Sequence, residues 1–385
     1  MEFSSTLSLP HDSKSLPFLP QEIIFEILLR LPVKTLLKMK CVSKSWLSHI
    51  SSPQFITTHL KLSANNQELS HHRLLFSNSD EIKNDALTFY TCSLYSIMYQ
   101  ESPVIRIELD FPGELPFDYE YRIFGSCNGL FCISNDDYED LFLWNPSIRE
   151  LKKLPCSGID VGELDFLEFR GVGFGYNECQ TDYRIVEIVG VDHSKHGNLC
   201  YVSVYSSRIN SWKSIQGYPG FIFFTDSGKF VNGRLHWIAF LDCGSYTNVH
   251  FLISSFNLLD ETFGNVALPD TVDESHDLAL GTSRGYLYVS SRYGTKTDVW
   301  LMKEYGLARS WTKLVSYTSS KVVKPIFISQ DDKILLQLAT SLVCFNSRDN
   351  TIRLPGNQIR CYSDIDCTFS LYIESLVSPN SLEDV

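Results

Sequence analysis

The sequence predicts an α+β protein in which a small N-terminal helical domain precedes a large all-β domain arranged as a β-propeller. Three observations carry this prediction. With 385 residues, the chain is longer than one ordinary hydrophobic core requires. Apolar residues repeat with a helical period near the start, whereas beyond residue 80 short β-branched and aromatic runs are separated by Gly, Asn, Asp, Ser and Pro. Within that second part, a two-part unit recurs along the chain.

The first helix is predicted from an apolar stripe. Aliphatic residues recur every four positions, at Leu19, Ile23, Ile27 and Leu31. Pro20 suits the first turn of a helix, where a missing N–H is not needed. Pro32 disfavours helical geometry at the residue before it, so the first helix is expected to end near Leu31.

Three further short helices are predicted in the next thirty or so residues. Pro32 can begin the second helix, in the stretch PVKTLLKMK, and Ser43 is of a residue type preferred at the N-cap of the third. Pro53 suits the first turn of the fourth, which is expected to reach Leu60. A domain this small has little core of its own, so partner binding is expected to contribute to its stability.

This helical segment is predicted to dock another protein. Because Phe25, Leu29 and Met39 cannot easily share one face with the stripe residues, apolar surface is expected to remain for a partner. Residues 17–62 carry a net charge of +4 in a chain whose net charge is −12, which leaves −16 on the rest. The basic segment is therefore expected to favour an acidic partner, and the acidic remainder argues against nucleic-acid binding.

The same stretch resembles an F-box over residues 18–59. The resemblance rests on the pairs Leu19-Pro20 and Leu31-Pro32, on VKTLL after the second pair, and on Cys-Val-Ser-Lys-x-Trp at 41–46. It ends with Ile50, Pro53, Phe55 and His59. The resemblance implies docking to the acidic Skp-type adaptor of an SCF (Skp–Cullin–F-box) ubiquitin ligase. The residues it assigns to adaptor binding are Leu19, Pro20, Ile23, Phe25, Ile27, Leu28, Leu31, Pro32, Val33, Leu36, Leu37, Cys41, Val42, Lys44 and Trp46.

The β part contains the recurring unit. Its first half is a glycine followed by a short apolar strand, as in GSCNGLFCIS (125–134), FVNGRLHWIA (230–239) and GTSRGYLYVS (281–290). Its second half is a strand ending on an aromatic residue or Met, then a polar turn and a further strand. The residues that mark the second halves are Trp144, Tyr205, Phe256, Met302 and Phe345, at separations of 61, 51, 46 and 43.

Repeats of about 40–50 residues built from four short strands are the period of propeller blades. One blade cannot bury both of its faces, so blades are expected to stack around an axis. The diglycine of the standard kelch signature is missing from these repeats. We therefore predict an irregular, kelch-like β-propeller of about five to seven blades, with a β-sandwich as the alternative architecture.

Nearly all of residues 120–355 resembles the F-box-associated region of plant F-box proteins. The matching positions are Gly125, Cys127, Gly129, Leu130, Trp144, Asn145, Pro146, Gly173, Gly175, Tyr176, Tyr183, Trp212, Asn232, Gly233, His236 and Trp237. The matching glycines are expected at turns or where two backbone segments come close together, because glycine has no side chain. Trp144, Trp212 and Trp237 are expected to pack between blades.

Recognition of a target is expected in loops of the β part, since loops on a rigid scaffold commonly carry binding. Three acidic or aromatic loops are candidates: 134–141, 158–169 and 216–228. The alternative for each is a plain solvated turn. No individual target-binding residue is assigned.

The sequence contains no recognisable catalytic motif. It lacks a P-loop, a Gly-x-Ser-x-Gly elbow, a His-Glu-x-x-His pair and a dinucleotide-binding glycine fingerprint. His193 and His196, with Cys200 nearby, have loose spacing and no fourth ligand, so no metal site and no cofactor are predicted. The 11 cysteines are scattered singly and indicate reduced thiols in the cytoplasm or nucleus.

Together these features predict a non-catalytic substrate receptor. The F-box would dock the Skp-type adaptor and through it a cullin, while the β domain would hold an unidentified target protein for ubiquitination. The alternatives are a propeller-type lectin or hydrolase, and an F-box scaffold acting outside the ligase. No membrane partner is expected, since no apolar run has the length of a spanning helix.

The expected organisation is a flexible N-terminus (1–16), the F-box (17–62), a connecting segment with the first strands (63–110), the propeller-like domain (111–375) and a tail (376–385).

Overall fold

The structure is a computed structural model of the chain. It describes residues 19–79, 87–100, 103–109, 111, 121–135, 140–159, 166–192, 199–215, 222–241, 250–272, 277–318, 323–331, 333–355, 359 and 369–382. Within these ranges, four short helices precede a large β domain. The predicted order of a helical domain and an all-β domain is confirmed.

The N-terminal helical block consists of α1 (Gln21–Leu28), α2 (Val33–Met39), α3 (Lys44–Ile50) and α4 (Pro53–Ala64). Pro20 and Pro32 lie at the N-caps of α1 and α2, and Pro53 is the first residue of α4. Ser43 caps α3, because its side-chain oxygen accepts a hydrogen bond of 3.1 Å from the backbone N–H of Trp46. The prolines and serines of the sequence thus set where these helices begin.

The helical block has a small core. Its fully buried members are Leu28, Leu29, Val33, Leu36, Ile50, Phe55 and, from the far end of the chain, Leu376. Phe25 meets the ring of Phe55 edge-on, with 5.3 Å between the ring centroids. This contact turns Phe25 and Leu29 inward, and Ile23 and Ile27 of the apolar stripe stay about half exposed, so apolar surface remains on the block as expected.

The β domain follows the helical block. Its strands are β1 (His72–Ser79), β2 (Leu87–Ser93), β3 (Ile107–Leu109), β4 (Tyr121–Cys127), β5 (Leu130–Asn135), β6 (Leu141–Asn145), β7 (Glu150–Lys153), β8 (Phe166–Asn177), β9 (Asp182–Asp192), β10 (Leu199–Ser206), β11 (Ser211–Ile215), β12 (Ile222–Val231), β13 (Arg234–Leu241), β14 (His250–Asn257), β15 (Phe263–Val266), β16 (Asp277–Ser283), β17 (Tyr286–Tyr293), β18 (Lys296–Met302), β19 (Trp311–Thr318), β20 (Val323–Ile328), β21 (Lys333–Leu338), β22 (Ser341–Asn346), β23 (Thr351–Arg353) and β24 (Phe369–Ile373). One helix, α5 (Leu94–Tyr99), lies between β2 and β3.

The described strands form six blades of four strands each. Blade 1 has the order β24-β1-β2-β3, and blades 2 to 6 are β4–β7, β8–β11, β12–β15, β16–β19 and β20–β23. Blades 3 and 4 share one eight-stranded sheet through a parallel pairing of β8 and β12 at Gly173 and Gly228. The first strands of neighbouring blades contact one another in a closed ring. The fold is therefore a β-propeller, as predicted, and the described part of the chain is not a β-sandwich.

The ring is closed by the two ends of the β domain. The last strand, β24, pairs antiparallel with β1, so blade 1 combines strands from both ends of the chain. Blades 6 and 1 are also linked by side chains. The Tyr99 hydroxyl donates to Asp331 over 2.9 Å, and the Lys333 ammonium lies 2.9 Å from the same carboxylate and 4.4 Å above the Tyr99 ring.

The sequence repeat corresponds to the blades. Its five marker residues, Trp144 to Phe345, lie on the third strands of blades 2 to 6, and each is 7% exposed or less. In blades 2, 4 and 5 the first two strands are joined by two residues with positive φ: Asn128-Gly129, Asn232-Gly233 and Arg284-Gly285. Such turns match the twist of a hairpin, which explains why a glycine precedes the second strand.

The tryptophans pack between blades, as predicted. Trp144 lies in a core shared by blades 1 and 2, and Trp237 in a core shared by blades 3 and 4. Trp212, on the fourth strand of blade 3, donates from Nε1 to the Pro155 carbonyl of blade 2 over 2.7 Å. Trp311 repeats this bond in blade 5, donating to the Ala267 carbonyl of blade 4 over 2.8 Å. Each of these tryptophans ties one blade to the blade before it.

His236 links blades 4 and 5. Its Nδ1 lies 3.0 Å from the Lys229 carbonyl and its Nε2 lies 2.7 Å from the Tyr305 hydroxyl. Because a carbonyl can only accept, Nδ1 donates to it, and Nε2 accepts the hydrogen bond from Tyr305. Burial lowers the pKa of His236 to about 4, so the ring is neutral in the folded protein.

We expect His236 to make the protein less stable in mild acid. Between about pH 7 and about pH 5, a histidine of the unfolded chain, with a pKa of about 6.5, takes up a proton that the folded His236 does not. Stability therefore falls as pH falls. Melting temperatures of the wild type and His236→Gln over this range should show a shallower decline for the variant, and identical slopes would contradict the assignment.

Candidate functional site

The helical block lies on one face of the propeller, at blades 1 and 2. Ile148, in the turn between β6 and β7, packs against the core of the block. The rings of His59 on α4 and His71, just before β1, lie 5.4 Å apart. We call this end of the propeller the proximal face and the other end the distal face.

The three predicted target loops are attached to the distal face. Successive strands of a blade run in opposite directions, so the turn that carries Ile148 and the turns between second and third strands lie at opposite ends. The candidate loops 134–141, 158–169 and 216–228 join β5 to β6, β7 to β8 and β11 to β12, and the strand ends that flank them are distal. Part of each loop lies outside the described residues.

The helical block presents aliphatic side chains to solvent. Leu19, Ile23 and Ile27, spaced four residues apart along α1 and its N-terminus, are 55%, 47% and 49% exposed. Val42, just before α3, is 60% exposed, and Leu47 on α3 is 47% exposed. Single exposed aliphatic residues are ordinary, but this concentration on one small domain is typical of a protein-interaction surface.

Exposure divides the residues that the F-box resemblance assigns to docking into three groups. The exposed group is Leu19, Pro20, Ile23, Ile27, Pro32, Cys41, Val42 and Lys44. The partly buried group is Phe25, Leu31, Leu37 and Trp46. The buried group is Leu28, Val33 and Leu36. The exposed group is available for direct contact with a partner, whereas the buried group holds the helices in position.

His59 fixes the corner between α1 and α2. Its Nε2 donates to the Leu31 carbonyl over 2.9 Å, and its ring stacks on Phe55 with 6.1 Å between centroids. His59 is fully buried, and burial lowers its pKa, which keeps the ring neutral. The Leu31 carbonyl, in the turn between α1 and α2, thereby gains a partner just before Pro32 caps α2.

The surface of the helical block is basic. Lys34, Lys38, Lys44 and Lys61 are exposed on it. Arg30 is paired with Glu26 one turn earlier on α1, at 2.7 Å, but both side chains are exposed and such a pair contributes little to stability. The same small block therefore exposes both lysines and aliphatic side chains, and this combination suits a partner that is both apolar and acidic.

The described residues contain neither a membrane-spanning helix nor a metal-binding cluster. No helix among them has the length and apolar character needed to cross a membrane. They also contain no group of three or more His, Cys, Asp and Glu side chains placed to hold a metal ion. His193 and His196 lie outside the described residues. Burial raises the pKa of the Cys92 and Cys127 thiols to about 12, so these thiols stay protonated.

Two residues of the helical core were not found by sequence reasoning. Ile148 comes from a propeller turn and Leu376 from the end of the chain, and both pack against the helices. Their one sequence signal is an aliphatic residue within a polar stretch, NPSIRE and ESLVSP. A local pattern cannot show such long-range contacts.

Two family models match the chain. Residues 85–378 match the F-box associated beta propeller domain, and residues 16–58 match the F-box domain. An F-box/kelch-repeat protein of Arabidopsis thaliana is 31% identical over 371 residues, which cover 94% of this chain and 96% of the relative. The F-box protein CPR1 of the same plant is 31% identical over 400 residues, which cover 94% of this chain and 88% of the relative.

Proposed function

This chain belongs to the family of F-box proteins that carry an F-box associated β-propeller domain, and we propose that it is the substrate-recognition subunit of an SCF ubiquitin ligase. The F-box implies binding to a Skp-type adaptor within that ligase. In the proposed role, the helical block docks the adaptor, the adaptor connects to a cullin, and the propeller holds the target protein.

The observation that carries this proposal is the exposed aliphatic surface of the helical block. One side of the block packs on the proximal face through Ile148 and Leu376. Ile23, Ile27 and Val42 stay exposed in the same structure. The block therefore has one side that fixes it to the propeller and another that is free to bind an adaptor.

We assign the adaptor contacts to the exposed group of docking residues defined above. Their aliphatic members would supply apolar area, and the neighbouring lysines would meet the acidic adaptor. The buried group would act through the fold, since Leu28, Val33 and Leu36 have at most 3% of their surface exposed. Truncating a buried member should lower stability and binding together, whereas changing an exposed one should lower binding alone.

We assign target recognition to the distal face. The helical block occupies the proximal face at blades 1 and 2, and the candidate loops are attached to the distal strand ends. Two tyrosines near distal strand ends are exposed, Tyr201 on β10 by 40% and Tyr293 on β17 by 63%. Exposed tyrosines are enriched at the energetic centres of protein interfaces. With this arrangement, adaptor and target are bound at opposite ends of one rigid body.

The proposed contribution to ubiquitination is proximity. A receptor that holds its target near a charged conjugating enzyme raises the effective concentration of the target's lysines without taking part in bond chemistry. This role needs no catalytic residue in the chain. It distinguishes the proposal from a propeller hydrolase, which would act without any ligase subunit.

Reconstitution tests the proposal. The purified chain should form a one-to-one complex with a Skp-type adaptor and, through it, a larger complex with a cullin, as measured by size-exclusion chromatography with light scattering. Ubiquitin transfer to the chain or to proteins bound by it should require the cullin and its RING subunit. A complex that stops at the adaptor would favour the scaffold alternative, and a chain that binds no adaptor would contradict the proposal.

A further inference from the structure

The C-terminal residues join three parts of the molecule. Strand β24 closes the propeller ring by pairing with β1. We call the nine residues that follow, 374–382, the C-terminal strap. Within it, Leu376 is 4% exposed and belongs to the core of the helical block. Val377 and Leu382 pack instead against the core shared by blades 2 and 3.

Ring closure is well anchored at β24. Tyr372 is buried between blades 1 and 2, and its hydroxyl lies 3.1 Å from the Thr91 hydroxyl on β2. At the end of the strand, Glu374 lies 3.6 Å from the Arg73 guanidinium on β1, with both side chains largely buried. The start of the strap is therefore fixed only when β24 has joined blade 1.

Blade 2 fixes the path of the strap. The Asn145 side-chain amide donates to the carbonyls of Ser375 and Val377, over 3.1 Å and 2.7 Å. Ser375 is fully buried, and a Cβ at Gly129 would lie only 2.6 Å from the Ile373 carbonyl oxygen. A glycine at this turn thus lets the strap lie directly against the proximal face.

The strap also meets the helical block through charge. Glu150 on β7 accepts hydrogen bonds from Ser378 and from Asn380, the latter over 3.3 Å. The same carboxylate interacts electrostatically with Lys40 at the end of α2. Glu374 interacts in the same way with Lys34 on α2. Glu374 in the strap and Glu150 beneath it thus each interact with a lysine of the helical block, whose core holds Leu376.

We propose that the C-terminal strap makes adaptor binding depend on closure of the propeller ring. The helical block is too small to lose a core residue without consequence. Leu376 can occupy that core only when β24 is paired with β1 and Asn145 holds the strap. Adaptor binding itself rests on the proposed function, whereas the dependence of the helical block on the strap is a property of the chain alone.

Two consequences follow. Leu376 follows all the described strands of the propeller and is therefore synthesised well after the helical block, so a truncated or open propeller would present an incomplete docking surface and be kept out of the ligase. In a finished chain, anything that stabilises ring closure also stabilises the helical block. By linkage, adaptor binding stabilises ring closure to the same extent.

The test compares two neighbouring residues of the strap in the full-length chain. Leu376→Ala leaves a cavity in the helical core, and Val377→Ala removes a partly buried side chain that packs against the propeller core. Apparent affinity for the adaptor falls in proportion to the fraction of molecules whose helical block is folded. Leu376→Ala should therefore bind a Skp-type adaptor at least about tenfold more weakly than wild type. Val377→Ala should stay within about twofold of wild type. Isothermal titration measures both.

Hydrogen exchange without the adaptor gives a second readout. In Leu376→Ala the amides of α1 to α4 should exchange faster than in wild type, and those of blades 3 to 5 should not change. Should Leu376→Ala unfold the whole chain, Leu376→Val, which removes one methylene, provides the same comparison. If the helices of Leu376→Ala exchange as slowly as those of wild type, the inference is overturned. This outcome does not depend on adaptor binding, since the adaptor is absent from the measurement. A wild-type chain that binds no adaptor would contradict the proposed function instead.

Discussion

Replacing both Ile23 and Ile27 by aspartate is expected to weaken binding of a Skp-type adaptor by at least about a hundredfold. Each side chain is about half exposed in the free chain and would be covered in the complex. Fully burying an exposed isoleucine contributes roughly 1.5–3 kcal/mol, so covering the exposed half of both side chains contributes about 1.5–3 kcal/mol in total, where about 1.4 kcal/mol corresponds to a tenfold change in affinity. The introduced carboxylates would also face an acidic partner. Isothermal titration with the full-length chain measures the effect.

A matched double variant distinguishes the loss of a direct adaptor contact from a general effect of two added negative charges. Leu62 on α4 is 48% exposed and Ile105 in blade 1 is 77% exposed, and neither is assigned to docking. The double variant Leu62→Asp/Ile105→Asp adds the same two charges to the chain and should bind the adaptor nearly as wild type does. All four positions are exposed, so both double variants should melt close to the wild-type temperature. Equal loss of binding in the two variants would contradict the assigned surface.

Trp144→Ala is expected to cause the largest loss of stability among the variants considered. Trp144 is fully buried between blades 1 and 2, with the ring centroids of Phe89 and Phe111 at 5.2 Å and 5.1 Å. Truncation of a buried aromatic residue of this size costs about 3–5 kcal/mol of the free energy of unfolding, because the surrounding rings cannot close the cavity. Chemical denaturation of the full-length chain measures this loss.

Trp212→Ala is the control for that prediction. Trp212 also joins two blades, but it is only partly buried, and its contacts are one hydrogen bond to the Pro155 carbonyl and a ring contact with Tyr205 at 5.4 Å. Its loss should cost about 1–2 kcal/mol. Losses of equal size for the two tryptophans would show that burial between blades does not determine their contribution.

The regular blades could be predicted from the sequence because each carries its own local signals. The turns Asn128-Gly129 and Asn232-Gly233 need positive φ, and Trp144 to Phe345 mark the third strands at the period of a blade. Blade 1 lacks this recognisable repeat for a physical reason. Its first strand comes from the opposite end of the chain, and α5 replaces the usual turn between its last two strands.

The helical block was predictable in its elements but less so in its faces. Prolines and serines set where the helices begin, and these are local features. Which side of α1 is buried depends on Phe55, about 30 residues away in the sequence, and on Leu376 near the other end of the chain. The 3.6-residue period shows that a helix has apolar residues on several sides, but only tertiary contacts select the side that is covered.

The central claim is that this chain docks an adaptor through its helical block and leaves the distal face available for a target. Hydrogen–deuterium exchange of the full-length chain with and without a Skp-type adaptor tests it most directly. The account predicts slower exchange in α1 and in the residues leading into α3, with no change in the described strands at the distal face. Protection confined to blades 3 to 5, with α1 unchanged, would contradict it.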